Sequence, residues 1–150
     1  MVEGAEEPAE AWRRLGVKVA RGRDDDADLI ERAAQDVRTA VVIDGESGAA
    51  GDVIEEVVMG IVAAGVERVI LCARRPDQEL VDAVRTSGLD YVVLTIGGGL
   101  FSRKRVSVET VAEAIDAADD LAGSPRLELD LTNTESWAAL GLSSAPEIGR

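Results

Sequence analysis

Two spacings of apolar residues alternate along the chain. Short runs that are almost wholly apolar recur at residues 17–20, 39–43, 68–73 and 91–96, and between them apolar residues fall three and four positions apart. Short, continuous runs suit strands covered on both faces, whereas the wider spacing lays one apolar stripe along a helix. Strands and helices in alternation are the mark of a parallel sheet joined by crossover connections.

The first strand is predicted at 17–20. Asp24, Asp25 and Asp26 then offer an N-cap for a helix that carries Leu29, Ile30, Ala33, Ala34 and Val37 on one face. Residues 39–43 follow as a strand. A helix over 51–64 brings Val53, Ile54, Val57, Val58, Ile61 and Val62, a face so broad that it should be the most buried helix, with Gly65 ending it in the left-handed conformation. After the strand at 68–73, Pro76 starts a helix running to about Thr86, and Gly88 lies just past its end. The fourth strand is 91–96. Ser107 caps a helix over 108–122 that buries Val111, Ile115 and Leu121, and Gly123 closes it. Residues 126–131 read RLELDL, an alternation that fits an edge strand wet on one face. A short helix near Trp137 completes the domain, and Trp137 and Trp12 are expected to pin terminal helices to the core or to face a partner subunit.

These elements predict a three-layer α/β/α sandwich around a mainly parallel five-stranded sheet, Rossmann-like or flavodoxin-like. Strand order stays open, with 39–43, 68–73 and 91–96 expected at the centre and 17–20 and 126–131 at the edges. An acidic helical extension occupies 1–15, the single α/β domain 16–140, and a serine- and glycine-containing tail 141–150.

Composition narrows the function classes. Twenty-nine acids against sixteen bases give a formal charge of −13, which repels polyanions and disfavours nucleic acid and acidic lipid headgroups as partners. With no histidine, every imidazole-dependent nucleophile scheme is removed. The one cysteine, Cys72, forms no internal disulfide and belongs to no metal-spaced group, so a reducing cytoplasm fits. No apolar run approaches the roughly 20 residues of a membrane helix, and the start MVEGAEEPAE lacks a basic n-region, so neither export nor membrane insertion is expected.

Against this acidic background the stretch from Tyr91 to Arg105, YVVLTIGGGLFSRKR, stands out. An apolar strand runs into Gly97, Gly98 and Gly99, and Arg103, Lys104 and Arg105 follow. Glycines let backbone N–H groups approach a phosphate or carboxylate, and guanidinium groups hold it through charge-assisted bonds. The preceding strand ends in Arg74 and Arg75, so five of the sixteen cations fall in two consecutive loops at the carboxyl ends of strands, where open parallel sheets bind ligands. Gly97-x-Gly99-x-x-Ser102 departs from the dinucleotide fingerprint at its third glycine, and no Walker loop is present. The competing reading is a turn whose solvated arginines neutralise nearby acids. Asp44 and Glu46, after the strand at 39–43, are candidates for an acid/base pair or, with Asp24 to Asp26, for Mg²⁺ ligands; helix capping is the alternative. Cys72 lies in VILCARRPDQ, which lacks the C-x5-R spacing of a phosphate cradle, and reads as a small buried thiol.

Residues 39–76, TAVVIDGESGAAGDVIEEVVMGIVAAGVERVILCARRP, resemble the periplasmic domain of ExbD/TolR-type biopolymer transporters. That likeness implies a partner-binding domain without catalysis, although those proteins carry an N-terminal membrane helix that this chain does not show. RRPDQELVDAVRTSGLDYVVLTIGG is similar to a stretch of sorbose-type phosphotransferase IIB domains, whose function requires a histidine absent here. Two readings follow. The domain binds a phosphorylated or carboxylated small molecule at the sheet edge, as an enzyme or a binding protein, or it is a non-catalytic interaction or oligomerisation domain supported by its apolar helices.

Overall fold

Four of the predicted strands form and lie side by side in chain order. The computed structural model describes residues 26–43, 51–97 and 106–142. Its strands are β1 (Thr39–Ile43), β2 (Arg68–Ala73), β3 (Asp90–Thr95) and β4 (Arg126–Asp130), all parallel, in the order β1-β2-β3-β4. The helices are α1 (Ala27–Ala33), α2 (Gly51–Ala63), α3 (Gln78–Thr86), α4 (Val108–Asp119) and α5 (Thr134–Ala139). The predicted strand at 17–20, the helical extension at 1–15 with Trp12, Asp24, Asp25 and residues 143–150 of the tail lie outside the described residues.

Capping chemistry starts the helices where the side chains allow. Asp26, Asp77, Ser107 and Asn133 each accept a backbone N–H from the first turn of α1, α3, α4 and α5. Pro76 therefore sits outside α3, one residue before the cap, rather than in its first turn. α1 is shorter than its apolar spacing predicts, because the chain turns at Asp36, whose φ is 63°, and Val37 is left exposed. α4 likewise stops at Asp119 short of residue 122, with Leu121 half-buried in the loop beyond it.

Alternate residues of β2 and β3 feed two separate cores. On one face Val69, Leu71, Tyr91 and Val93 pack with Ile61 of α2 and Leu80, Val81 and Val84 of α3. On the other, Ile70, Cys72, Val92 and Leu94 pack with Ala114 and Ala118 of α4 and Trp137 of α5. Every residue of β2 is buried. α1 joins the first face by lying against α2, so closely that a Cβ on Gly60 would stand 2.7 Å from both the Ala27 carbonyl oxygen and the Ile30 Cβ.

Two expectations about burial are corrected. β1 was expected to have both faces covered; its expected central place rests on the strand predicted at 17–20, which lies outside the described residues. Among the described residues it pairs with β2 alone, and Val41 and Ile43 are 43% and 70% exposed. The reason is that only Ala40 and Val42 reach the α2 side, while α4 on the opposite face lies over β2 and leaves β1 uncovered. α2 was expected to bury a broad apolar face; among its residues beyond 54, whose side chains are described, Ile61 is buried while Met59 and Val62 are 48% and 43% exposed, because a helix on the outside of a sheet buries one stripe.

The placement of the helices has a topological consequence. The strand order advances one position at each crossover, with α2 and α3 on one face and α4 on the other. The connections through α2 and α3 therefore share one hand, and the connection through α4 has the opposite hand, although nearly all βαβ units are right-handed. Specific long-range bonds hold α4 there. Arg68, only 5% exposed at the start of β2, donates to the carbonyls of Ala118 (3.1 Å), Asp119, Leu121 (2.8 Å) and Gly123 (3.3 Å). Its cation thus meets the negative end of the helix dipole and the last carbonyls that the helix leaves unpaired. Arg38 and Thr39, at the start of β1, donate to the Asp119 carboxylate.

Asp119 makes this end of the molecule acid-sensitive. The Thr39 hydroxyl is the main cause that holds its carboxyl below the ordinary value; partial burial opposes it, and Arg38 and then Arg68 add to it. A carboxyl depressed in the folded state contributes stability that is complete above its unfolded pKa and is lost as pH falls through the folded one. The acid limb of the stability profile, below about pH 4, should therefore be shallower in Asp119→Asn and in Thr39→Val than in the parent. Urea midpoints measured from pH 6 to pH 2.5 check this, and parallel acid limbs in all three proteins would count against it.

Candidate functional site

The crossovers decide where a ligand crevice can open. After β1 and β2 the chain leads to α2 and α3 on one face, whereas after β3 and β4 it leads to α4 and α5 on the other. The connections leaving two neighbouring strands thus part company between β2 and β3. In open α/β sheets, the place where neighbouring connections diverge outside the carboxyl ends is where ligands bind. Here the divergence comes from a crossover of reversed hand rather than from a reversal in strand order.

The two strands stay paired slightly beyond their formal ends. Ile96 donates to the Ala73 carbonyl at 2.9 Å, and Gly97 then lies against the backbone of Arg74. A Cβ on Gly97 would come 3.1 Å from the Arg74 carbonyl oxygen and 3.2 Å from its Cβ, so a larger residue here would push the two loops apart where they begin to separate. Gly97 and Arg74, 23 positions apart in sequence, are thereby brought together at the mouth of the divergence. Arg74 and Arg75 are both exposed there.

The carboxylates that end the neighbouring elements are engaged locally. Asp77 accepts the Glu79 N–H at 2.8 Å as the α3 cap, and Asp130, at the end of β4, accepts from the Thr132 N–H at 2.9 Å and its hydroxyl at 2.7 Å. Among the described residues no group of three or more His, Cys, Asp or Glu side chains converges as a metal site would require. Of the residues singled out from the sequence, Gly98, Gly99, Arg103, Lys104, Arg105, Asp44 and Glu46 lie outside the described residues.

Cys72 sits on β2, fully buried in the α4 side of the core, and burial pushes its thiol up to about 11. Almost none of it is thiolate at neutral pH, which suits packing rather than nucleophilic chemistry. Arg68 is the residue that reading the sequence missed. A cation opening an otherwise apolar strand, RVILCA, is the available signal, since a buried arginine must find several acceptors. Among the described residues, no helix is long and apolar enough to cross a membrane.

No protein-family model matches the chain, and no curated protein matches it. Among solved structures it is similar to the triphenylmethane reductase of Citrobacter sp., crystallised in complex with NADP(H), with a TM-score of 0.63 and 15% sequence identity. The match covers 81% of this chain and 55% of the reductase, so the chain spans about half the length of that enzyme. At this level of identity the likeness is one of fold: the chain is an α/β domain of Rossmann-like architecture, with a parallel sheet flanked by helices on both faces.

Proposed function

We propose that this domain binds a phosphorylated or carboxylated small molecule in the crevice beyond the carboxyl ends of β2 and β3. The observation that carries the reading is the divergence of connections at β2 and β3, because the loops that leave these two strands are the ones in which five of the chain's sixteen cations lie. In this reading Gly97, Gly98 and Gly99 let backbone N–H groups approach the anion, and Arg74, Arg103, Lys104 and Arg105 neutralise it. A dinucleotide phosphate is the first ligand to test, since the reductase of similar fold was crystallised with NADP(H). If the domain turns a substrate over, Asp44 or Glu46, after the neighbouring β1, supplies the acid/base group or a Mg²⁺ ligand.

Thermal unfolding with NADPH, NADH, a sugar phosphate and inorganic phosphate tests this. A ligand that binds only the native state stabilises by RT ln(1 + [L]/Kd), about 2.7 kcal/mol at one hundred times Kd. At least one of these anions should raise the melting temperature, and a variant with Arg103, Lys104 and Arg105 all changed to Ser should lose the shift. No shift with any of them, or an equal shift in the triple variant, would sink the proposal.

A further inference from the structure

The surface between α2 and α3 carries a second feature, on the outer side of the helices that follow β1 and β2. The two helices run side by side on the same face of the sheet and leave an open groove of about 610 Å³ between them. Its walls include Val58, the exposed Met59 and Val62 from α2, and Ala83 from α3. Among the described residues, the charged side chains that line it are Glu55 on α2 and Glu79 on α3, both exposed and both in the earlier turns of their helices. Arg85 of α3 is turned away from the groove, toward Asp82 and Glu128 of β4.

We infer that this groove docks a basic amphipathic helix of a partner protein, with its apolar stripe on Met59 and Val62 and a lysine or arginine at the Glu55–Glu79 end. A helix seated in a groove lays an apolar face into it. Met59 and Val62 lie on one stripe of α2 with Glu55 a turn earlier, and Glu79, Ala83 and Thr86 line the facing wall in the same spacing. Methionine adds a flexible, polarisable contact that adapts to a partner's side chains. Charge selects the occupant. A second copy of the chain would bring its own Glu55 and Glu79, on a molecule of formal charge −13, to a groove whose charged lining among the described residues is carboxylate. Like charges brought together across an interface disfavour it, and a cationic partner gains the complementary interaction.

Fluorescence anisotropy with a labelled helix-forming peptide of leucine and lysine, about 14 residues long, provides the test at roughly 150 mM salt. The control peptide has the same composition in an order that leaves no apolar stripe. The stripe peptide should bind the intact chain, and Met59→Lys with Val62→Lys should weaken it by about tenfold or more. Val41→Lys with Val108→Lys adds the same charge at exposed valines outside the groove and should leave affinity near that of the parent. Glu55→Gln with Glu79→Gln should weaken binding and flatten its dependence on salt. The inference fails if the stripe peptide does not bind, if the scrambled peptide binds equally, or if both lysine pairs weaken binding alike. It also fails if sedimentation shows a dimer that Met59→Lys with Val62→Lys dissolves, because the groove would then belong to a second copy.

Discussion

Replacing Arg68 with alanine is expected to cost about 3–5 kcal/mol of stability, the range seen when one partner of a buried charged interaction is removed. The side chain is almost wholly buried and serves four carbonyls at the end of α4 and in the loop beyond it. Without it the buried Ala118 carbonyl and its half-buried neighbours lose their donor, and each group left unsatisfied costs about 1–3 kcal/mol. Arg68→Lys should recover little, since one ammonium cannot reproduce the planar fork that reaches acceptors on both sides. The loss should be localised. Amide hydrogen exchange in α4 is expected to speed up more than exchange in α2 or α3, because Arg68 fastens α4 to the start of β2. Urea denaturation gives the size of the effect and exchange gives its place. A loss below about 1 kcal/mol, within the usual effect of an exposed substitution, would show that the carbonyls find other partners. Because the position of α4 is what separates the connections leaving β2 and β3, this variant should also weaken any anion-induced thermal shift, although no atom of Arg68 belongs to the proposed crevice.

Trp137→Ala is expected to be comparably damaging, at about 3–5 kcal/mol. The indole is 2% exposed and lies among Ile70, Cys72, Val92, Leu94 and Leu131, while its Nε1 donates to the Leu131 carbonyl at 3.1 Å. Truncation removes the largest fully buried side chain in this layer and leaves that carbonyl without its indole donor. Trp137→Phe separates the two contributions. It keeps most of the apolar volume and loses the hydrogen bond, and should cost about 1–2 kcal/mol. Similar losses for the Phe and Ala variants would mean that the bond, rather than the packing, holds α5 in place. Arg68 and Trp137 both secure the layer on the α4 side, one at each end of the strands, so their effects should add closely unless the layer detaches as a unit.

The sequence was legible where physics is local. Val69, Leu71, Ile70 and Cys72 form one continuous apolar run, and β2 is buried throughout; RLELD alternates, and β4 follows that alternation with exposed Arg126, Glu128 and Asp130. Ser107 announces a helix start that the structure realises through the Thr110 N–H. Where the reading failed, distance was the cause. The exposure of Val41 and Ile43 depends on how far α4 extends across the sheet, and no spacing within TAVVI records that. The candidate site was legible in part. Arg74 and Gly97 could be assigned to strand ends from the order of elements, but their adjacency required the register Ala73↔Thr95 and the continued pairing at Ile96.

Apolar spacing and caps alone determined the alternation of elements, the direction in which the strands run and the carboxyl-end position of the cationic loops, since each depends on residues within a few turns of one another. Only the tertiary structure decided which face each helix takes. β2 and β3 are apolar on both sides, so α4 could bury its alanine stripe against either, and local sequence does not distinguish the two. Arg68, Arg38 and Thr39 are in place to break that tie, holding the end of α4 from residues 50 to 81 positions earlier in the chain, and the divergence between β2 and β3 follows from the face on which they hold it.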